Sequence, residues 1–424
     1  MPTLGAKKCA EDGAPNFAVA LAFLVVTPVG NLLHPSRHNS TIYTPPMRVP
    51  LLLTTLAFAT AAHAQWTLQD AHTTASLRGI HSLGHGIAWA SGTEGTILRT
   101  EDNGTHWQHC TIPPNAEHLD FRGIQAFDNK TAIVMSSGKG DLSRLYQTTD
   151  GCQTWTLVLT NPDPEGFWDA LTFDPGSKPK YVYGMLVGDP VNGNFVIYRT
   201  TDQGNTWQPL APTTKQHLAV SQKDESLFAA SNSAAVMSGP HGQIAFVTGG
   251  NGGARFIFYQ HHDPCDCKPS EGFSDIKLPI ASSESAGAFS IARRQTIKGY
   301  ILDADFMVVG GDYRRPDSPS ASVFVPHRAP IITSLSRRAI PSLTPPHGYR
   351  SAVAYDTSTK TWITVGPNGT DISTDDGRNW RALTPGPSDA PDADKNWNAL
   401  SLPFAVGPHG RIGFLRDNAL APHK

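Results

Sequence analysis

The octapeptide Thr200-Thr201-Asp202-Gln203-Gly204-Asn205-Thr206-Trp207 decides the fold of this chain. A hydroxyl residue, an Asp two on, a Gly two further and a Trp three after that recur as Thr100 to Trp107 and as Ser373 to Trp380. A fourth copy, Thr148 to Trp155, carries Cys152 where the Gly belongs and Gly151 one position early. The physical sense is local. The Asp carboxylate accepts backbone N–H bonds inside its own tight turn, and the Gly supplies the positive φ that the turn needs. The Trp restarts a strand and covers the turn with its ring. Asp102, Gly104, Trp107, Asp150, Trp155, Asp202, Gly204, Trp207, Asp375, Gly377 and Trp380 therefore read as hairpin staples, not as a binding site.

The four aspartates at 102, 150, 202 and 375 leave gaps of 48, 52 and 173 residues, the last with room for three further units. A fixed period in this range means a solenoid, propeller or array. Alternating apolar runs with Gly and Asn turns, and no long helical period, select the propeller. Seven innermost strands are predicted, each opening on a bulky residue followed by small or polar ones. They begin at Leu77, Phe121, Phe167, Phe228, Phe289, Tyr349 and Trp397. The last blade runs out after Arg411 to Arg416, and Trp66-Thr67-Leu68-Gln69 reads like the outer strand it lacks. The expectation is an all-β, seven-bladed β-propeller closed by an N-terminal strand, which leaves no open sheet edge.

Residues 47–65 read MRVPLLLTTLAFATAAHAQ: a start Met, Arg48, an apolar stretch and a small-x-small site at Ala62-His63-Ala64. That is the order of an export leader, and the apolar run is too short for a comfortable membrane span. Residues 1–46 are expected to be an over-extended start, 47–64 the leader and 65–424 the propeller, periplasmic or secreted, with no stable membrane anchor. The rival is a genuine Met1 with Phe17 to Leu33 as the exported segment, a stretch that lacks a clean cleavage motif. A formal net charge of -2 argues against nucleic acid as the partner. Disulfides are permitted outside the cytoplasm, but the pairing of Cys110, Cys152, Cys265 and Cys267 is not legible. His261-His262-Asp263-Pro264-Cys265-Asp266-Cys267 is the most metal-like run, yet neither CxC nor HH has structural-zinc spacing. No metal and no cofactor are expected.

Strand order places the start of each inner strand and the loop after each second strand on one face, here called the funnel face. It is expected to gather Arg78, Arg122, Trp168, Asp169, Asp189, Glu225, Arg255, Asp312, Tyr313, Arg350 and Trp397. Arg78, Arg122 and Arg350 each follow the bulky inner-strand residue, so three guanidinium groups are expected to converge on the axis. Arg forks grip carboxylates bidentately, which points to a protein partner or another anionic ligand. The bland alternative is that acidic neighbours satisfy all three.

Gly92 to Trp107 (GTEGTILRTEDNGTHW), Phe121-Arg122-Gly123-Ile124 and Val365-Gly366-Pro367-Asn368-Gly369 leading into Ser373 to Trp380 carry a family likeness. On these residues the chain resembles the photosystem II stability/assembly-factor-like family of Asp-box propellers. The resemblance implies a non-enzymatic scaffold that holds a partner protein; separately, a monomer is expected. The sialidase-type glycoside hydrolases share the box and give the alternative. Their chemistry needs an arginine triad, a Tyr nucleophile with a Glu partner, and an acid Asp. Arg78, Arg122, Arg350, Tyr313, Glu225 and Asp169 supply those residue types, but an Arg-Ile-Pro signature before the first box is absent.

Overall fold

In the computed structural model, seven antiparallel sheets follow one another along the chain and pack as the blades of a ring. The structure describes residues 65–420 except 175–181, 211–217, 240–242, 261–271, 299–300, 328–337, 388 and 418. The expected leader, the over-extended start and the metal-like run at 261–267 thus lie outside the described residues.

From the axis outward, blade one is Leu77–Gly84, Ile87–Gly92, Ile97–Thr100 and Gln108–His109. Blade two is Phe121–Ala126, Ala132–Ser136, Arg144–Thr148 and Thr156–Thr160, and blade three is Trp168–Phe173, Gly184–Val191, Asn194–Thr200 and Gln208–Pro209. Blade four is Ala235–Gly239, Gln243–Val247, Arg255–Gln260 and Gly272–Lys277. Blade five is Ala286–Lys298, Ile301–Asp312, Ser322–His327 and Ile340–Pro341, and blade six is Ala352–Asp356, Thr361–Gly366, Gly369–Ser373 and Arg381–Ala382. Blade seven takes Ala399–Ser401, Phe404–Val406 and Ile412–Leu415 from the end of the chain and Trp66–Gln69 from its beginning, with Trp66 opposite Leu415 and Gln69 opposite Ile412.

The period of two explains the core. Each sheet buries both faces, one against each neighbour, so successive residues of a strand serve different seams. In blade four, Ile244 and Phe246 face blade three, while Ala245 and Val247 face blade five. In blade two, Ile133 and Met135 face blade three, and Ala132 and Val134 face blade one. One apolar cluster fills each seam, including the closing seam between blades seven and one, where Phe404 and Val406 meet Leu77 and Ala88.

The box turns are built around a residue whose role the sequence did not disclose, the leading Ser or Thr. Thr200 Oγ1 donates to Asp202 Oδ1 (2.7 Å) and accepts the Gly204 N–H (3.0 Å), while Asp202 accepts the Thr206 N–H (2.9 Å). Ser373, Asp375, Gly377 and Asn379 repeat this set, as do Thr100, Asp102, Gly104 and His106. The turn N–H of His106, followed by its ring, holds the Asp102 carboxyl down at about 2. Each box Trp packs on the preceding blade: Trp107 on Phe404, Trp155 among blade-one residues, Trp207 near Ile133, and Trp380 on Met307 and Val309. In the second box Cys152 occupies the Gly position at φ 65° and forms a disulfide with Cys110 beyond the outer strand of blade one.

Strand expectations are corrected in three blades. Phe228-Ala229-Ala230-Ser231 is not the inner strand of blade four; that strand is Ala235–Gly239, and Phe228 to Ser233 lies outside any strand. Blade six begins at Ala352 and blade seven at Ala399, so Tyr349, Arg350 and Trp397 precede their strands. At Phe228 a bulky residue followed by small ones has the same composition at an axial crossing as in an inner strand.

Candidate partner-binding site on the funnel face

The segment between Ser226 and Ala235 crosses the axis of the ring. Its contacts reach four other blades. Arg122 Nη1 donates to Ala229 O (3.2 Å), and the Leu227 N–H is accepted by Asp189 Oδ1 (2.8 Å). Asn232 Oδ1 accepts the Leu171 N–H (2.8 Å), Ser231 Oγ donates to Ser351 O (2.7 Å), and Ser233 Oγ lies 2.7 Å from Ser290 Oγ. Small side chains suit a place where blades converge, and the hydroxyls satisfy strand-end groups that no ladder reaches.

Phe228 anchors the start of this plug. Its ring stacks on Phe289 at 4.0 Å and 11°, and a Cβ on either Gly249 or Gly287 would run into it. Phe289 meets Tyr349 edge-on at 4.8 Å, and Tyr313 stands edge-on to both Phe228 (6.4 Å) and Phe289 (6.2 Å). Tyr349 is buried, but Tyr313 is 46% exposed, so the cluster ends in an aromatic face open to solvent. Burial pushes the Tyr349 phenol up, against the pull of the nearby Arg78 charge.

Arg78 and Arg122 converge beside this wall and compete for one carboxylate. Asp120 Oδ2 accepts from Arg122 Nε at 2.8 Å, whereas Arg78 Nε stays 3.9 Å from Asp120 Oδ1. That Nε is buried without a hydrogen-bond partner among the described residues. Burial lowers the Arg78 pKa, Asp120 opposes the shift, and like-charge repulsion from Arg122 adds to it. On the far side of Arg122 lies a carboxyl pair. Asp169 is 1% exposed with Oδ2 unpartnered among the described residues, and burial followed by the Asp189 charge pushes it well above the ordinary carboxylate value. Asp189 rises to about 6 through burial, tempered by the Leu227 N–H.

The other expected funnel residues are occupied elsewhere. Arg350 is 1% exposed and turned onto Asp371, which it grips through Nε (2.8 Å) and Nη2, with Asn368 Oδ1 on Nη1. Only two of the three guanidinium groups therefore meet. Glu225 and Arg255 form a buried two-point pair at 2.8 and 2.6 Å, with Thr248 Oγ1 and the Gln222 N–H on the same carboxylate. Asp312 is spent on Ser285 Oγ (2.7 Å), just before the inner strand of blade five, and within its own loop on the Arg314 N–H (3.0 Å) and Arg315 Nε (2.8 Å). Trp168 is core between blades two and three, and Trp397 is core beside Trp66 under Arg411. Two members of the set expected for sialidase-type chemistry are committed elsewhere: Arg350 is held in a buried ion pair with Asp371 and Glu225 in one with Arg255.

Comparison with known proteins agrees with the fold. The profile of the Sortilin-Vps10 family (sortilin, neurotensin receptor 3) matches residues 95–261. No curated protein matches the chain significantly. Among solved structures, YCF48 bound to D1 peptide superposes with a TM-score of 0.51 at 16% identity, covering 84% of this chain and 98% of that one. YCF48 from Cyanidioschyzon merolae gives 0.50 at 17%, covering 83% and 99%. The WD40 β-propeller domain of Doa1 gives 0.50 at 6%, covering 83% and 97%. The chain shares the β-propeller fold of these structures and carries Asp-box turns, and at these identities the likeness is one of fold.

Proposed function

We propose that the protein is an exported, monomeric binding scaffold whose funnel face holds a carboxylate-bearing segment of a partner polypeptide, in the manner of a photosystem II assembly factor. The observation that carries the reading is the Arg78–Arg122 pair over a single Asp120, with Arg78 Nε buried and without an acceptor. A partner carboxylate supplies what Asp120 cannot share, because charge-assisted bonds to a guanidinium are the strong ones. Tyr313 and Phe228 offer an apolar side chain of the same segment an aromatic wall. A protein of this fold has been captured with a peptide, YCF48 with D1 peptide, which supports a polypeptide as the ligand class. Export rests on the leader pattern at 47–64, and the Cys110–Cys152 disulfide suits an oxidising compartment.

Arg78 is the residue to change, since among the described residues its Nε donates no hydrogen bond and its contact with Asp120 is a long one. Wild type and Arg78→Glu are used as baits on periplasmic extract, and the captured protein is mapped with overlapping peptides. Binding of an acidic peptide that weakens with salt and is lost in Arg78→Glu supports the reading. Equal capture by both baits moves the site elsewhere, and hydrolysis of a sialoside by the wild type replaces the scaffold with the hydrolase.

A further inference from the structure

We infer that leader removal creates a structural cation, the α-ammonium of Gln65, which docks on Asp389 and locks the closing seam of the ring. The inference rests on the export reading above and adds a role for the cut end. Gln65 N lies 2.9 Å from Asp389 Oδ2. The position of that nitrogen is fixed by the sheet: Gln65 O accepts the Arg416 N–H (3.0 Å), and the next residue, Trp66, is opposite Leu415. The acceptor is equally fixed. The Asp389 side chain is 2% exposed, its Oδ2 also takes the Gly386 N–H (2.9 Å), and its Oδ1 faces Arg416 Nη1 at 3.5 Å. Asp389 lies in the connection from blade six to blade seven, so the contact joins the first described residue to the two blades at the end of the chain.

As an ordinary peptide nitrogen, Gln65 N has one hydrogen and no charge to offer this buried carboxylate. Hydrolysis changes that. A leader peptidase adds water across the Ala64–Gln65 amide; the hydroxyl goes to the Ala64 carbonyl carbon, leaving a carboxylate. The nitrogen keeps the bonding pair and, at neutral pH, takes up protons to become an ammonium. The single N–H donor becomes a cation with three, opposite an anion already held in place, and charge-assisted bonds are about twice as strong as neutral ones. A second consequence is chemical. A free N-terminal Gln cyclises when its unprotonated amine attacks its own side-chain amide with loss of ammonia. An amine kept protonated by Asp389 resists that reaction.

The test is a cycle on the mature chain. Protein beginning at Gln65 is compared with the same chain carrying a Gly-Ser extension, each with Asp389 and with Asp389→Asn. If the pair raises the ammonium pKa by about one unit, the unfolding equilibrium constant differs about tenfold between native and extended termini. That gap disappears in Asp389→Asn. It also closes as pH rises through the raised pKa, above the ordinary α-amino value of about 8. Asp389→Asn should further lose ammonia faster by mass spectrometry. Equal stability of native and extended chains at neutral pH, or a gap that survives Asp389→Asn, overturns the docking. N-terminal sequencing of the exported protein reports separately on the leader: a terminus other than Gln65 overturns the processing step whatever the cycle shows.

Discussion

Replacing Glu225 by Gln tests whether the funnel plug is anchored by a buried ion pair. Glu225 sits immediately before the axial segment, and its carboxylate takes four donors: Arg255 Nε and Nη2, Thr248 Oγ1 and the Gln222 N–H. Gln has the same shape but turns one acceptor into a donor, so at least one pair of donors must face each other. Arg255 is then left with the Val220 carbonyl (2.8 Å) and, as a charged partner, Asp275, half exposed and 3.4 Å away. Breaking one side of a buried pair costs about 3–5 kcal/mol, much of it the uncompensated charge. An unfolding entropy of about 2.1 cal/mol/K per residue over roughly 350 residues is about 0.7 kcal/mol/K, so the melting point should fall by ~4–7 °C. Calorimetry reads the shift, and hydrogen exchange at the Leu227 and Ala229 amides reads loosening of the plug. The double variant Glu225→Leu, Arg255→Met should melt above Glu225→Gln, because no buried charge remains. A melt unchanged by Glu225→Gln, or a double variant worse than the single one, would refute the reasoning.

Asp202→Ala removes two side-chain hydroxyl contacts and a turn N–H acceptor and should cost about 1–2 kcal/mol in urea unfolding, leaving partner affinity unchanged. Trp380→Ala should cost about 3–5 kcal/mol, and more than Trp207→Ala, because Trp380 is buried and bonded to Ser322 while Trp207 is partly exposed. Asp189, raised to about 6, contributes stability that is complete below its unfolded value of about 3.9 and lost as pH rises through about 6. Burial holds His81 down at about 4, so its contribution is present above about 6.5 and lost as pH falls through about 4. Asp189→Asn keeps an acceptor for the Leu227 N–H, so its urea midpoint relative to wild type should be higher at about pH 8 than at about pH 4.5; a difference that does not change with pH would exclude this. Cys110→Ser opens a cross-link between residues 42 apart and should cost about 2–4 kcal/mol, seen as a lower melting point that reductant does not lower further.

The turns were legible because the box is self-contained: Thr200, Asp202, Gly204 and Thr206 find their partners within seven residues. Blade count followed from those turns and from the axial pattern of a bulky residue before small ones. The same pattern misled at Phe228, because a segment crossing the axis meets the same crowding as a strand lining it. Arg350 shared its position after a bulky residue with Arg78 and Arg122, but its strand starts two residues later. Its guanidinium is therefore free to turn outward, and its partner Asp371 lies within the strand that leads into a box. The aromatic wall was hidden for a related reason. Phe228, Phe289, Tyr313 and Tyr349 come from four separate stretches of chain, and only the ring brings them together.

One seam differs from the rest in its backbone. Glu225–Ser226 pairs with Gly249–Gly250, and Gly249 pairs with Gly287 of blade five. The hairpin between the second and third strands of blade four thus belongs to the sheet of its neighbour, whereas elsewhere among the described residues a sheet ends at the blade boundary. Units that share a ladder cannot part without breaking it, so blades four and five should open together in native-state exchange. The sequence carries no clear box in either of these blades, so a shared backbone takes the place of a local clasp. The ring has seven blades by geometry, but it should breathe as six.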